Sequence, residues 1–172
     1  MAGFKQMQKQ MGISKFNKYC ATIASDYGRS ETQYAGTHFS ETYGISKDCF
    51  YKVLDYAVVH YLVTDWVVNL MEAKAQRNTE SHGSTGLSSL KHYQELREKR
   101  RQFVYDLSRD FVKNEDKPLS YFLEKYGREA KGFRAILEKG LDGAEYYGIT
   151  PEMASTIQYR IFFEIVPALS DE

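Results

Sequence analysis

Residues 39–54 read Phe-Ser-Glu-Thr-Tyr-Gly-Ile-Ser-Lys-Asp-Cys-Phe-Tyr-Lys-Val-Leu. Each landmark has a structural reason. Phe39 packs inward from a first helix. Ser40 sits where two helices come closest, so a small side chain is needed there. Gly44 takes the left-handed backbone that turns the chain sharply, and Ile45 plugs the gap between the helices. Ser46 is an N-cap, its hydroxyl accepting from a free N–H of the helix that follows. Phe50, Val53 and Leu54 recur at helical spacing and fix that helix to a core. The stretch reads as helix, tight turn, helix.

The same signals run outward along the chain. Three prolines, Pro118, Pro151 and Pro167, leave long stretches rich in Lys, Glu, Leu, Ala and Tyr, which favour helices. The alternation of half-buried strands is nearly absent. The expected fold is all-α and multi-helix. Residues 1–13 read as a loose basic arm. Ser14 is expected to cap a helix ending at Gly28, and Ser30 one ending at Gly44. The helix after Ser46 is apolar almost all round from Phe50 to Met71, so it is expected to be a central helix or a dimer interface. Thr64-Asp65 is the place where it can split. Residues 78–89 (NTESHGSTGLSS) read as a flexible linker between units 1–77 and 90–172. Beyond it come a helix from Leu90 to about Asn114, one from Pro118 to Gly127, and two more. Thr150 as N-cap and Pro151 at the first helical position mark the last start. Residues after Pro167 are expected to fray.

The dipeptide Tyr-Gly occurs at 27–28, 43–44, 126–127 and 147–148. An aromatic closes a helix, glycine turns, and a cap follows two residues later. Two readings stay open. Either a three-helix unit is duplicated on the two sides of the linker, or Tyr-Gly is merely a frequent helix end in a tyrosine-rich chain.

Residues 34–56 resemble the helix-turn-helix of bacterial repressors, resolvases and transposases. The resemblance implies that the second helix lies in the major groove of double-stranded DNA. Ser46, Lys47, Asp48, Tyr51 and Lys52 then stand at its exposed N-terminal part, with Lys47 and Lys52 on phosphate or guanine and Asp48 either toward cytosine or away from the DNA backbone. A weaker match at Ala144 to Ile157 has only Arg160 as a base and reads as structural. Another at Phe122 to Leu137 puts Arg128 in the plug position and Leu123 where a small residue belongs. Both departures count against its packing, although Lys125, Arg128, Lys131 and Arg134 would make a basic surface.

Formal net charge is zero, with 23 basic and 23 acidic residues, which argues against a protein that coats nucleic acid non-specifically. The charge is unevenly spread. Lys5, Lys9, Lys15 and Lys18 stand in residues 1–20 without an acid. Lys91, Arg97, Lys99, Arg100 and Arg101 lie on the helix after the linker. They can track a DNA backbone, or form a solvated face with pairs such as Glu95–Lys99. Cys20 and Cys49 fall in helical patterns, where a lone cysteine is usually a small buried residue. His38, His60, His82 and His92 lack metal-ligand spacing. No phosphate-cradling glycine loop or nucleophile elbow is visible. No cofactor, metal or catalytic residue is therefore expected, and the chain reads as a non-enzyme. The N-terminus lacks the apolar run of a signal peptide, and Asp55, His60, Asp65 and Asn69 interrupt the most apolar stretch, so no membrane span and a cytoplasmic location are expected. The function read from these features is that of a sequence-specific DNA-binding regulator or accessory protein, a homodimer, of the kind that phages and mobile elements carry. The alternative is a protein-binding inhibitor, such as an anti-defence protein of the anti-CRISPR kind, whose tyrosine-rich surface grips a protein target.

Overall fold

The computed structural model describes residues 3–31, 35–82 and 90–170, which are helical with no strand among them. The all-α expectation holds. The chain forms two compact units, residues 1–100 and 101–172. That division differs from the expected one at 78–89. Residues 78–82 extend α5 (Asp65–His82), while 83–89 lie outside the described residues. The boundary instead falls inside α6 (Leu90–Lys113). Tyr93 and Leu96, three residues apart on α6, are buried in the first core, and Val104, Leu107 and Phe111 serve the second.

In the first unit, residues 4–11 are not a loose arm. They form α1 (Phe4–Met11), because Phe4, Met7 and Met11 make an apolar stripe. The Phe4 ring lies edge-on to Phe16 and Tyr56, at 5.2 and 5.7 Å. Next comes α2 (Ile13–Arg29), with Ser14 inside its first turn rather than at its cap. Phe16, Cys20, Ile23, Ala24 and Tyr27 are its buried face. Both cysteines are buried free thiols, and burial pushes Cys20 up to about 12. Gly28 does not end this helix. It is a contact point with α5, where a Cβ would stand 2.9 Å from Val67 Cγ1. Gly28→Ala is therefore expected to lower stability by about 1–3 kcal/mol, measured by urea unfolding.

The long apolar helix does divide, at residues 60–64. α4 (Lys47–Val59) stops and α5 starts at Asp65. Tyr61 stands at φ 54°, and Leu62 N–H returns to the Ala57 carbonyl at 2.9 Å. Arg100 holds the break. Only 4% exposed, it donates to the Val58 carbonyl at 2.7 Å, the Val63 carbonyl at 2.8 Å and Asp65 Oδ1 at 2.9 Å. Its guanidinium lies 3.5 Å from the Tyr61 ring centroid. Lysine lacks the planar fork that reaches all three acceptors. Both Arg100→Met and Arg100→Lys should cost about 3 kcal/mol or more, a loss that thermal or urea denaturation will register.

The second unit continues α6 into α7 (Leu119–Tyr126), α8 (Ala130–Asp142), the short α9 (Ala144–Tyr147) and α10 (Pro151–Arg160). Thr150 caps α10 by accepting from Met153 N–H at 3.2 Å, with Pro151 at the first helical position as expected. A π-helical stretch, Ile161–Ile165, then leads into α11 (Val166–Ser170). Pro167 follows the π-helical stretch without a break in the helix, Val166 N–H donating to the Ile161 carbonyl five residues back, and the helix runs past it to Ser170. Arg160 repeats the role of Arg100. Buried at 3% exposure, it donates to the carbonyls of Phe111 and Lys117 at 2.7 and 2.9 Å, and pairs with Glu164.

Asp110 clamps α7 to α6. Its Oδ2 accepts from Lys125 Nζ and from the Tyr126 hydroxyl, each at 2.7 Å, and its Oδ1 accepts from Asn114 at 2.8 Å. Burial raises the Asp110 pKa, but these donors outweigh it and hold the carboxyl below its ordinary value of 3.8. A depressed carboxylate adds stability that is complete above the unfolded value and is lost as pH falls through the folded one. The acid limb of the stability curve below pH 3.8 should therefore be shallower in Asp110→Asn, as read by denaturant midpoints across that range.

Candidate nucleic-acid interface

The segment that opened the sequence forms α3 (Ala35–Tyr43), a turn and α4. Gly44 stands at φ 66°. Its N–H donates to the Glu41 carbonyl at 3.3 Å, and the Ile45 N–H to the Ser40 carbonyl at 2.9 Å. Ile45 is buried, and Ser46 Oγ accepts from Cys49 N–H at 3.1 Å. Phe39 and Phe50 stack at 5.6 Å and 3°, and Tyr27 of α2 meets both edge-on, at 6.0 and 5.6 Å. The Tyr43 hydroxyl donates to the Asp26 carboxylate and ties α3 to α2.

With the apolar side so engaged, α4 turns Lys47, Asp48 and Lys52 outward, all exposed. Lys52 pairs with Asp48 at 3.1 Å across solvent-exposed side chains, a weak tie. Two expected groove residues are occupied elsewhere. The Ser46 hydroxyl serves as the cap. Tyr51 is half-buried against α3, where a Cβ on Gly36 would come within 2.9 Å of its hydroxyl.

The basic stretch of α6 is mostly structural. Arg100 is committed to the helix break and cannot meet a phosphate. Arg97 Nε donates to Glu72 at 2.5 Å and its Nη2 to Asn69 at 2.7 Å, holding α6 to α5. Arg101, in the second unit, reaches the Tyr146 carbonyl at 3.4 Å. Lys91 and Lys99 remain exposed. Lys5, Lys9, Lys15 and Lys18 are exposed on α1 and α2, and both helices pack against α4 in the first unit. The outward basic charge of that unit therefore lies mainly on α1, α2 and α4.

The match at Phe122 to Leu137, doubtful from its plug residues, forms a second turn of the same geometry. Gly127 stands at φ 62° and donates to the Glu124 carbonyl at 3.3 Å, and the Arg128 N–H donates to the Leu123 carbonyl at 2.9 Å. Phe122 and Phe133 stack at 6.2 Å and 29°, with Phe111 edge-on to both at 5.0 and 5.3 Å. Tyr126 donates to Asp110 as Tyr43 does to Asp26. The turn between α3 and α4, with its ring and tyrosine–aspartate anchors on α2, thus recurs between α7 and α8, with its anchors on α6. The likeness does not fall in the expected frame: Gly44 matches Gly127, while Tyr27-Gly28 makes no turn. The signal was in the chain, since Phe, Glu, Tyr, Gly, Phe and Leu at 39, 41, 43, 44, 50 and 54 recur at 122, 124, 126, 127, 133 and 137. Arg128 is tolerated in the plug position because it donates back to the Tyr126 carbonyl at 3.2 Å and lies 5.7 Å from the Phe103 ring.

Among the described residues, no three His, Cys, Asp or Glu side chains lie together as metal ligands would, and no helix is long and apolar enough to cross a membrane. No protein-family model, curated protein or solved structure matches the chain.

Proposed function

We propose that this protein binds double-stranded DNA in a sequence-dependent way, with α4 set in the major groove. The observation that carries this reading is the α3–turn–α4 segment: every apolar landmark is buried, and Lys47, Asp48 and Lys52 are the exposed side chains of α4. Lys47 and Lys52 contact phosphate or guanine. The lysines of α1 and α2 add phosphate contacts that position the unit without reading sequence. Asp48 restrains Lys52 in the free protein, and its own acceptor oxygens suit cytosine.

A second reading rests on the other unit. Tyr159, Phe162 and Phe163 are 63, 67 and 58% exposed, with Tyr159 and Phe163 4.5 Å apart. Exposed aromatic clusters of this kind mark protein contacts, so a protein target is the alternative.

Fluorescence anisotropy with random-sequence duplex DNA separates the two. Binding is expected at about 50 mM salt and should weaken steeply with added salt. Each lysine that neutralises a phosphate contributes about 0.9 to the slope of log affinity against log salt. Lys47→Ala with Lys52→Ala should therefore flatten that slope by up to about 2, while the exposed Asp48 pair costs under about 1 kcal/mol of stability. A wild-type protein that ignores DNA at low salt rules the DNA reading out.

A further inference from the structure

We propose that α8 is a second DNA-reading helix, so that each unit carries its own. The proposal rests on the chain being a DNA binder, as read above, but not on α4 being the reader. It begins from the recurrence of the α3–α4 turn and its anchors between α7 and α8. The two turns share their backbone hydrogen bonds, their stacked phenylalanine pair with a third ring edge-on, and their tyrosine–aspartate tie. By this correspondence Asp48 and Lys52, exposed on α4, become Lys131 and Ala135 on α8, Lys47 becomes the buried Ala130, and Gly132 and Arg134 take the places of the buried Cys49 and the half-buried Tyr51.

What stands there differs in a telling way. Lys131, Gly132 and Ala135 are exposed. Arg134 is half-buried and pairs with Glu138 one turn on, at 2.8 Å, across side chains 35 and 45% exposed, an arrangement that a stronger acceptor can replace. Arginine is the side chain best suited to guanine, through two parallel hydrogen bonds. Gly132 has no reason within the fold. A Cβ there would meet nothing within 4 Å, its φ is not left-handed, and glycine inside a helix is disfavoured against almost any other residue. Its neighbour on the same face, Ala135, is also small. A basic face with small residues at its centre lets a helix axis come close to a partner, which is what base edges at the floor of a groove require.

Other candidates in this unit are weaker. Lys125 is held by Asp110. The third turn, at Gly148, follows the four-residue α9 and leads into α10, whose exposed first turn carries Pro151 and Glu152 and no base.

The test uses the full chain and a duplex selected by the wild type from a random pool, probed by hydroxyl-radical footprinting and by affinity. Two protected tracts are expected. Gly132→Gln should raise the thermal midpoint, because glutamine is the better helix former, yet weaken binding by about tenfold or more and erase one tract. Lys131→Ala with Arg134→Ala should erase the same tract, and Lys47→Ala with Lys52→Ala the other. If both α8 variants keep wild-type affinity and footprint while the α4 variant fails, this inference is overturned and the α4 reading stands. If only the α8 variants fail, α8 is the reader and the role of α4 falls. No selectable duplex at all overturns both.

Discussion

A helix that ends inside a protein leaves carbonyl groups without donors, and each such end must be supplied. This chain meets that constraint in two ways. At Gly44 and Gly127 the backbone supplies itself, as the left-handed glycine and the residue after it turn their N–H groups back on the helix. At the end of α4, where the left-handed residue is Tyr61, and at the end of α6, a buried arginine from a distant helix adds its donors. Arg100 joins the carbonyls of Val58 and Val63, and Arg160 those of Phe111 and Lys117. Each then takes an acid, Asp65 or Glu164, and an aromatic ring, Tyr61 or Phe111.

This use of arginine redraws the charge map. A basic run such as 97–101 invites comparison with a phosphate track, but Arg100 is buried at the helix break and Arg97 is tied to Glu72 and Asn69, so both hold helices together. In the second unit Lys125 is likewise spent on Asp110. Among the cations left outward are the lysines of α1 and α2, Lys47 and Lys52 on α4, Lys91 and Lys99 on α6, and Lys131 on α8. A neutral chain can in this way keep a localised basic surface without being a general polyanion binder.

The recurring turn gives the fold its economy. In each half three aromatic rings lock three helices, two edge-on contacts and one stack, and a tyrosine hydroxyl on an aspartate fixes the first helix to the second. The remainder differs between the halves. The first adds α1 and α5, the second α9, α10 and the π-helical stretch with its exposed aromatics. Shared geometry therefore belongs to the turn and its anchors, while the outward residues of α4 and α8 have diverged, and those residues decide what each helix can read.

Much of this was legible along the chain, because its causes are local. A left-handed glycine, a hydroxyl one turn before an N–H and apolar residues at three-and-four spacing act within a few residues. They marked α4, the turn at Gly44, the start of α10 and the all-helical class. Tertiary structure decided the rest. Gly28 looks like a helix end, yet it is a contact with Val67, a residue 39 positions away in the numbering. Arg100 looks like surface charge, yet carbonyls on another helix claim it. The boundary at 100 rather than 78–89 followed from which core Tyr93 and Leu96 entered. Arg128 in the plug position counts against the packing of a second turn, but the Tyr126 carbonyl and the Phe103 ring nearby make it acceptable. Sequence spacing fixes which helices form and where they turn. Which polar groups the helices bury depends on acceptors that only the folded chain brings within reach.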